Sequence, residues 1–328
     1  MAESQVALSE PTQRPKIAEH FREGRFFNPE APEHGFSAFL RWITTRKIGF
    51  WRRWIPSEPG PPPPGAVEGT ALRVTFVNHS TVLLQTEGLN ILSDPVWSER
   101  VSPVRFAGPR RHRAPGIRFE DLPPIDLVLI SHNHYDHLDR PTMRQLAETH
   151  RPAVFCPLGV ADLVRGTGIR EVHELDWGQM EEWRELPIHC VPAQHFSSRT
   201  PFDRNRTLWC GWVLEAQGGN IYYAGDTGFG ALFAGLQRQF APMRLALLPI
   251  GAHEPEWFMG PVHMTPEQAV TARAILDAAV AIPIHFGTFA LADDAETAPV
   301  ERLQSALRAT GDADRFWLLE EGEGRLIP

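Results

Sequence analysis

Residues 126–139, DLVLISHNHYDHLD, decide how this chain is read. The run Leu127-Val128-Leu129-Ile130 has the length and residue types of a strand buried on both faces. His132 and His134 are two apart, so an extended exit from the strand projects both imidazoles to one side. Asp136 and His137 follow at once. Asp139 then stands as the N-cap of a helix with Pro141 in its first turn. Four candidate ligands therefore crowd one strand-to-helix loop. In a core they would be several buried polar groups in need of partners, and a solvated loop has no reason to concentrate imidazoles. Neutral imidazole nitrogen and carboxylate oxygen are what zinc and similar divalent ions take. The H-x-H-x-D-H order offers enough of them for two neighbouring ions.

The chain has 328 residues, 42% of them hydrophobic, and a formal charge of -8. That length holds one large α/β domain or two smaller ones. The acidic balance and the lack of a long basic block or a zinc-finger pattern argue against a nucleic-acid partner, although a metal nuclease stays open. No apolar run approaches the roughly 18–20 residues of a spanning helix, and the opening MAESQVALSEPTQRPK lacks the apolar core of a signal peptide. A cytoplasmic protein is expected, peripheral to the inner membrane surface if it meets a membrane. Cys156, Cys190 and Cys210 show no C-x-x-C spacing, which suits reduced, buried thiols.

Residues 1–33 read as polar and poorly ordered, with a Phe26-Phe27-Asn28-Pro29 patch suited to docking on a later domain. Residues 35–56 contain no acidic residue and mix Arg41, Arg46, Lys47, Arg52 and Arg53 with Phe39, Trp42, Ile43, Phe50, Trp51, Trp54 and Ile55. Two readings stand for residues 36–55: a segment lying on an anionic membrane surface, or a helix packing its aromatic side on the main domain. The PGPPPPG run beginning at Pro59 marks a stiff linker. An N-terminal extension over 1–65 and a catalytic domain over 66–328 follow.

From Leu72 the pattern is strand after strand, LRVTFVN, TVLLQT and NILSD, separated by turns such as Glu87-Gly88, and it predicts an antiparallel meander. Residues 97–119 show no periodicity and carry Arg100, Arg105, Arg110, Arg111, Arg113 and Arg118. Arginine forks suit phosphate or carboxylate, so Arg110 and Arg111 are candidate substrate contacts; pairing with the chain's surplus Asp and Glu is the alternative. Beyond the histidine loop, strands are predicted at 153–156, 171–175, 188–192, 207–215, 220–224, 244–250 and 280–285. Helices are predicted to about His150 and at 159–165, 266–278 and 300–310, with a closing hairpin at 316–327. Thr265-Pro266-Glu267-Gln268 reads as a capping box.

His195 follows the strand IHCVPAQ, Asp226 follows IYYAG in a Gly-Asp-Thr-Gly turn, and His285 ends VAIPI. Each alone is most simply a hydrogen-bonded rim residue. Together with the first four they supply five histidines and two aspartates, a set suited to two ions sharing Asp226 and a water.

H-x-H-x-D-H after a buried strand, a later His, a GDT-type Asp and a final His resembles the metallo-β-lactamase superfamily. NHSTVLL, ILSDPVWSERVSP, FAGPRRHR, LPPIDLVLISHNHYDHLD, EPEWFMGPVHMTPEQAV and IHFGTFALADD narrow the resemblance to the N-acylphosphatidylethanolamine-hydrolysing phospholipase D group and its bacterial relatives, over residues 27–294. The resemblance implies an α/β fold, an αββα sandwich of two mixed sheets flanked by helices. It implies that His132, His134 and His195 hold one ion, Asp136, His137 and His285 the other, and that Asp226 bridges. His263 would face the substrate and Tyr135 would line the pocket, neither as a ligand. Val262 replaces a glutamine usual in the family pattern.

Two divalent cations lower the pKa of a shared water and neutralise a phosphodiester. The expected cofactor is therefore two zinc ions per chain, with iron or manganese also suited to such ligands, and the expected reaction is hydroxide attack at phosphorus. Asp136 and His263 are the side chains expected to serve it. The expected substrate is N-acylphosphatidylethanolamine or a similar phospholipid; a soluble phosphorylated lactone or small ester is the alternative, since the same ions polarise carbonyls.

Overall fold

From Leu72 onward most strands bury side chains on both faces, as sheets covered on each side must. The computed structural model describes residues 20–30 and 34–328. One sheet begins with the predicted meander: β3 (Leu72–Asn78), β4 (Thr81–Thr86) and β5 (Leu89–Ser93). Glu87 and Gly88, at φ 54° and 74°, form the left-handed pair that a tight hairpin requires. β6 (Leu127–Leu129), β7 (Ala153–Pro157) and β8 (Val172–Leu175) then add in parallel, with crossover helices α2 (Arg140–Thr149) and α3 (Ala161–Arg165).

The second sheet is antiparallel through β9 (Met180–Trp183), β10 (Leu186–Val191), β11 (Gly211–Ala216) and β12 (Gly219–Tyr223). It becomes parallel through β13 (Met243–Pro249) and β14 (Val280–Ile284). Its outer face carries α4 (Leu232–Phe240), α6 (Pro266–Ile275) and α7 (Ala298–Thr310). Phe76, Leu84, Phe155, Trp212, Tyr223 and Leu247 fill the space between the sheets. Met143, Leu146 and Val164 cover the outside of the first sheet, and Phe233, Leu236 and Leu303 that of the second. The architecture is the expected αββα sandwich of two mixed sheets.

Local departures have local causes. No hairpin forms at 316–327: Phe316 bridges Ala281, and β15 (Gly324–Ile327) instead pairs antiparallel with β3 at the sheet edge. β9, with sequence MEEW, escaped the sequence reading because an edge strand with charged side chains lacks an apolar signal. α4 and the single turn α5 (Glu256–Met259) were not expected either. Residues 207–210 stay outside β11. Asp139 occupies the N-cap position of α2, yet its carboxylate accepts from Ser98 and Thr142 rather than capping the helix backbone. The Thr265/Gln268 capping box is present.

The expectation of poor order at the start of the chain bears on positions 1–19 and 31–33, outside the described residues. Residues 20–30 depart from it. β1 (Phe21–Arg22) and β2 (Arg25–Phe26) form a hairpin that buries Phe26 against Ala193, Leu208 and Trp209. The proline-rich run lies along the first sheet, with Gln85 Nε2 donating to the Pro64 carbonyl and Asn90 Nδ2 to that of Gly65.

α1 (Phe36–Thr45) and the residues after it pack on the main domain. Trp42 stacks on Phe258, Arg46 pairs with Asp293 at 2.8 Å, and the Trp51 indole donates to the Asp294 carbonyl. No residue of α1 is buried, however, and Phe36, Phe39, Leu40 and Ile43 make an exposed stripe at helical spacing. Among the described residues no helix is long and apolar enough to cross a membrane.

Candidate metal centre

Strand ends on one rim of the sandwich carry the polar residues of the site. β6 delivers His132, His134, Asp136 and His137; β10, β12 and β14 deliver His195, Asp226 and His285. All seven meet. His134 Nδ1 lies 2.8 Å from His132 Nε2 and 3.2 Å from His195 Nε2. On the other side, Asp136 Oδ2 lies 3.3 Å from His137 Nε2 and 3.4 Å from His285 Nε2. Asp226 Oδ2 stands between the two groups, 3.2 Å from His137 Nε2, 3.1 Å from His285 Nε2 and 3.7 Å from His195 Nε2.

The donor set fits metal. Asp226 Oδ1 is buried without a hydrogen-bond partner, and His137 Nε2 and His285 Nε2 crowd the aspartate oxygens without a well-aligned hydrogen bond, a state that a cation between them would relieve. Nitrogen and oxygen atoms of His79, Asp136, His137 and His285 lie close enough to hold one ion, as do those of His132, His134 and His195. Burial shapes the protonation of the protein alone. It pushes His132 and His195 well below the ordinary histidine range and His134 to about 4. Burial also opposes charge on His137 and His285, but the aspartates outweigh it, raising His137 well above its usual value and His285 to about 9. Asp136 and Asp226 are buried yet held well below the usual carboxylate range, chiefly by His137. Two carboxylates thus demand positive charge at one end of the cluster, and the other end offers neutral nitrogen lone pairs.

Backbone geometry aims these groups. Asp226 reaches the cluster because Gly225 (φ 59°) lets its turn press on the ligand loop; a Cβ there would sit 2.5 Å from Ser131 Cβ. His285 adopts φ 61°, a left-handed conformation uncommon for histidine, and its N–H donates to the His79 carbonyl. His195 Nδ1 bonds the Val262 carbonyl at 3.0 Å, which leaves Nε2 facing the cluster. The backbone at Val262 therefore does this work whatever its side chain. Asn28 Nδ2 donates to the His195 carbonyl, tying the amino-terminal patch to the site.

Two residues of the site were missed in the sequence. Asp94, at the end of β5 and fully buried, accepts from the Ser131 backbone N–H at 2.7 Å and from the Tyr223 hydroxyl, and lies 2.6 Å from His137 Nδ1. It fixes which His137 nitrogen faces the cluster. His79 Nε2 lies 3.0 Å from Asp136 Oδ2, and burial lowers its pKa to about 4. Neither belongs to a spacing motif, though both sit in NHS and SDP at strand ends.

The remaining candidates separate. His263 stands 5.0 Å from the ring of His195 and 5.2 Å from that of His285, its Nδ1 buried and unbonded, and burial takes its pKa down to about 3. Tyr135 does not line the cavity beside the cluster: its hydroxyl donates to the Arg199 carbonyl and Arg199 covers its ring. Arg110 and Arg111 are absent from that cavity too. Arg110 pairs with Glu99 at 2.6 Å, while Arg111 is buried, donates to the carbonyls of Ser98 and Val96, and lies over Phe289. A cavity of about 570 Å³ opens from the cluster. His134, Asp136, His195, Asp226, His263 and His285 line it together with Phe36, Phe39, Trp42, Phe196, Phe258 and Leu291, and Asn28, His34 and Arg204 add polar groups.

Comparison with known proteins gives a consistent likeness. Residues 89–286 match the model of the beta-lactamase superfamily domain. An uncharacterised protein of Mycobacterium tuberculosis is 39% identical over 300 residues, covering 88% of this chain and 79% of that one. An N-acyl-phosphatidylethanolamine-hydrolyzing phospholipase D of Caenorhabditis elegans is 38% identical over 232 residues, covering 67% of this chain and 65% of that one. In fold, the chain is similar to a possible metal-dependent hydrolase from Veillonella parvula, with a TM-score of 0.64 at 15% identity over 78% of this chain and 99% of the other.

Proposed function

Because the chain belongs to the beta-lactamase superfamily and is a metal-dependent hydrolase, we propose that it is a dinuclear enzyme cleaving the phosphodiester of N-acylphosphatidylethanolamine or a similar phospholipid. One observation carries this reading: apolar side chains share the lining of the cavity at the metal cluster, and through Phe36 and Phe39 that lining continues into the exposed face of α1. An acyl chain can lie along such a lining and leave the cavity where it meets the exposed face of α1. The name of the C. elegans relative supports the same substrate class.

In this reading His132, His134 and His195 would hold one cation and Asp136, His137 and His285 the other, with Asp226 available to both. Bound there, two zinc ions would supply an acidified water and neutralise the phosphodiester. His263, kept neutral by burial, donates a hydrogen bond to a phosphoryl oxygen rather than serving as an imidazolium acid. Asp94 and His79 hold His137 and Asp136 in place. The stripe Phe36, Phe39, Leu40 and Ile43, with exposed Ile48, Phe50 and Trp54 and the basic groups Lys47 and Arg53 beside it, rests on an anionic membrane and admits the lipid beneath α1.

The test is hydrolysis of micellar N-palmitoylphosphatidylethanolamine in water enriched in heavy oxygen. N-palmitoylethanolamine should be released, and the label should appear in the phosphate of the phosphatidic acid. Label confined to the alcohol product would rule out attack at phosphorus. Turnover of small soluble esters with no cleavage of phospholipid would assign a soluble substrate instead.

A further inference from the structure

A second cavity, of about 470 Å³, lies behind the ligand loop, between residues 98–105 and the start of α2. It shares no lining residue with the cavity at the metal cluster. Its size falls within the range of about 300–1,000 Å³ common for small-molecule sites. Arg100, Arg105, Arg140, Arg144 and Arg199 line it, facing Glu99 and Asp139. Both carboxylates are already engaged. Glu99 pairs with Arg110, and buried Asp139 accepts from Ser98 and Thr142.

The five arginines contrast with others that this acidic chain has neutralised. Arg46, Arg52, Arg113, Arg273 and Arg302 each have a carboxylate partner. Among the described residues, none of the cavity's five forms an ion pair. Arg100 donates to the Gly108 carbonyl and Arg199 to those of Asn133 and Leu138. Arg140 Nε is buried with no partner. Arg140 and Arg144, four apart on α2, present like charges on one helix face, which is unfavourable unless an anion lies against them. Burial lowers the pKa of Arg199, and the neighbouring charge of Arg140 adds to that.

We propose that this cavity is a second, non-catalytic site that binds a phosphate-bearing anion between Arg105, Arg140 and Arg144. Guanidinium forks meet phosphate oxygens two at a time, and five such groups converge here in a chain of net charge -8. The phosphate belongs either to an anionic lipid headgroup or to a soluble phosphorylated compound. Exposed Val104 and Phe106 on either side of Arg105 would favour the lipid by entering the bilayer surface. The site does not depend on the substrate proposed for the metal centre.

Equilibrium dialysis of the metal-loaded full chain against radiolabelled glycerol phosphate tests the site. The wild-type chain should bind one molecule more than R140A/R144A. R144E, which alters an exposed position, should weaken that extra binding by about tenfold or more while leaving the circular dichroism spectrum unchanged. Equal stoichiometry and affinity in all three proteins would overturn the proposal. Flotation with phosphatidylcholine vesicles, with and without phosphatidylglycerol, separates the sources. Reduced flotation of R140A/R144A on the anionic vesicles assigns a lipid headgroup. Lost glycerol phosphate binding with unchanged flotation assigns a soluble ligand.

Discussion

The metal-cluster rim and the segment around α1 border the same cavity and are built in opposite ways. At the rim, His132, Asp136, His137, His195, Asp226 and His285 are all buried, each fixed by neighbours such as Asp94, His79 or the Val262 carbonyl. In α1 no residue is buried, and Trp42, Arg46, Trp51 and Arg52 tie the segment down at its edge while its apolar stripe faces out. A site for ions tolerates little movement, because ligand geometry sets both affinity and reactivity. A surface that meets a bilayer instead needs exposed apolar area and only enough anchoring to stay in register with the site.

The strongest way to break this contrast is to remove a ligand. His132→Ala or Asp226→Ala should abolish hydrolysis and bound metal together, measured by elemental analysis; full activity in a metal-free variant would sink the dinuclear reading. Metal affinity should also fall as pH drops below about 9, where His285 takes up a proton that competes with the ion for its nitrogen, and fall again towards about 4 as His134 protonates, measured by competition with a chelator.

Support of the ligands is the next level. Asp94→Asn keeps the shape but loses the charge beside His137 Nδ1, and should lower metal affinity about 10–100-fold in competition with a chelator. Unaltered affinity would show that the rim holds itself without that carboxylate. Gly225→Ala places a methyl against Ser131 in a left-handed turn; destabilisation of about 1–3 kcal/mol in urea unfolding is expected.

At the other region, Leu40→Ser/Ile43→Ser removes exposed side chains that do not line the cavity. Vesicle binding should weaken about tenfold or more, since full burial of each such side chain is worth about 1.5–3 kcal/mol, with hydrolysis of a soluble phosphodiester unchanged. Equal vesicle binding would give α1 a purely structural role. The smallest effect concerns the anchor. Arg52 lowers the pKa of Glu296, so that pair's contribution is present above the unfolded glutamate value and is lost as pH falls through the lower folded value. Glu296→Gln should therefore flatten the acid limb of stability slightly, as measured by thermal unfolding between pH 3 and pH 6, values near the reference carboxylate range of about 4.

Legibility in the sequence followed distance along the chain. HNHYDH places its polar side chains together because neighbours in sequence cannot be far apart, and the buried runs of β3 to β7 announce themselves by composition. Residues 207–210 and 316–327 misled because apolar side chains there pack without forming strands of the predicted length. Asp94 and His79 carried no spacing signal. Their partners lie 43 and 57 positions away, respectively.

Sequence by itself determined the buried strands from β3 to β7, the local ligand loop, the capping box of α6 and the basic aromatic composition of α1, since each depends on side chains within a few residues of one another. Only the tertiary structure decided that Asp226 stands between two groups of imidazoles and that Arg110 and Arg111 serve the scaffold. It also decided that α1 turns Trp42 inward and Phe36, Leu40 and Ile43 outward. The physical reason is that facing, pairing and charge neutralisation are properties of surfaces brought together from distant parts of the chain.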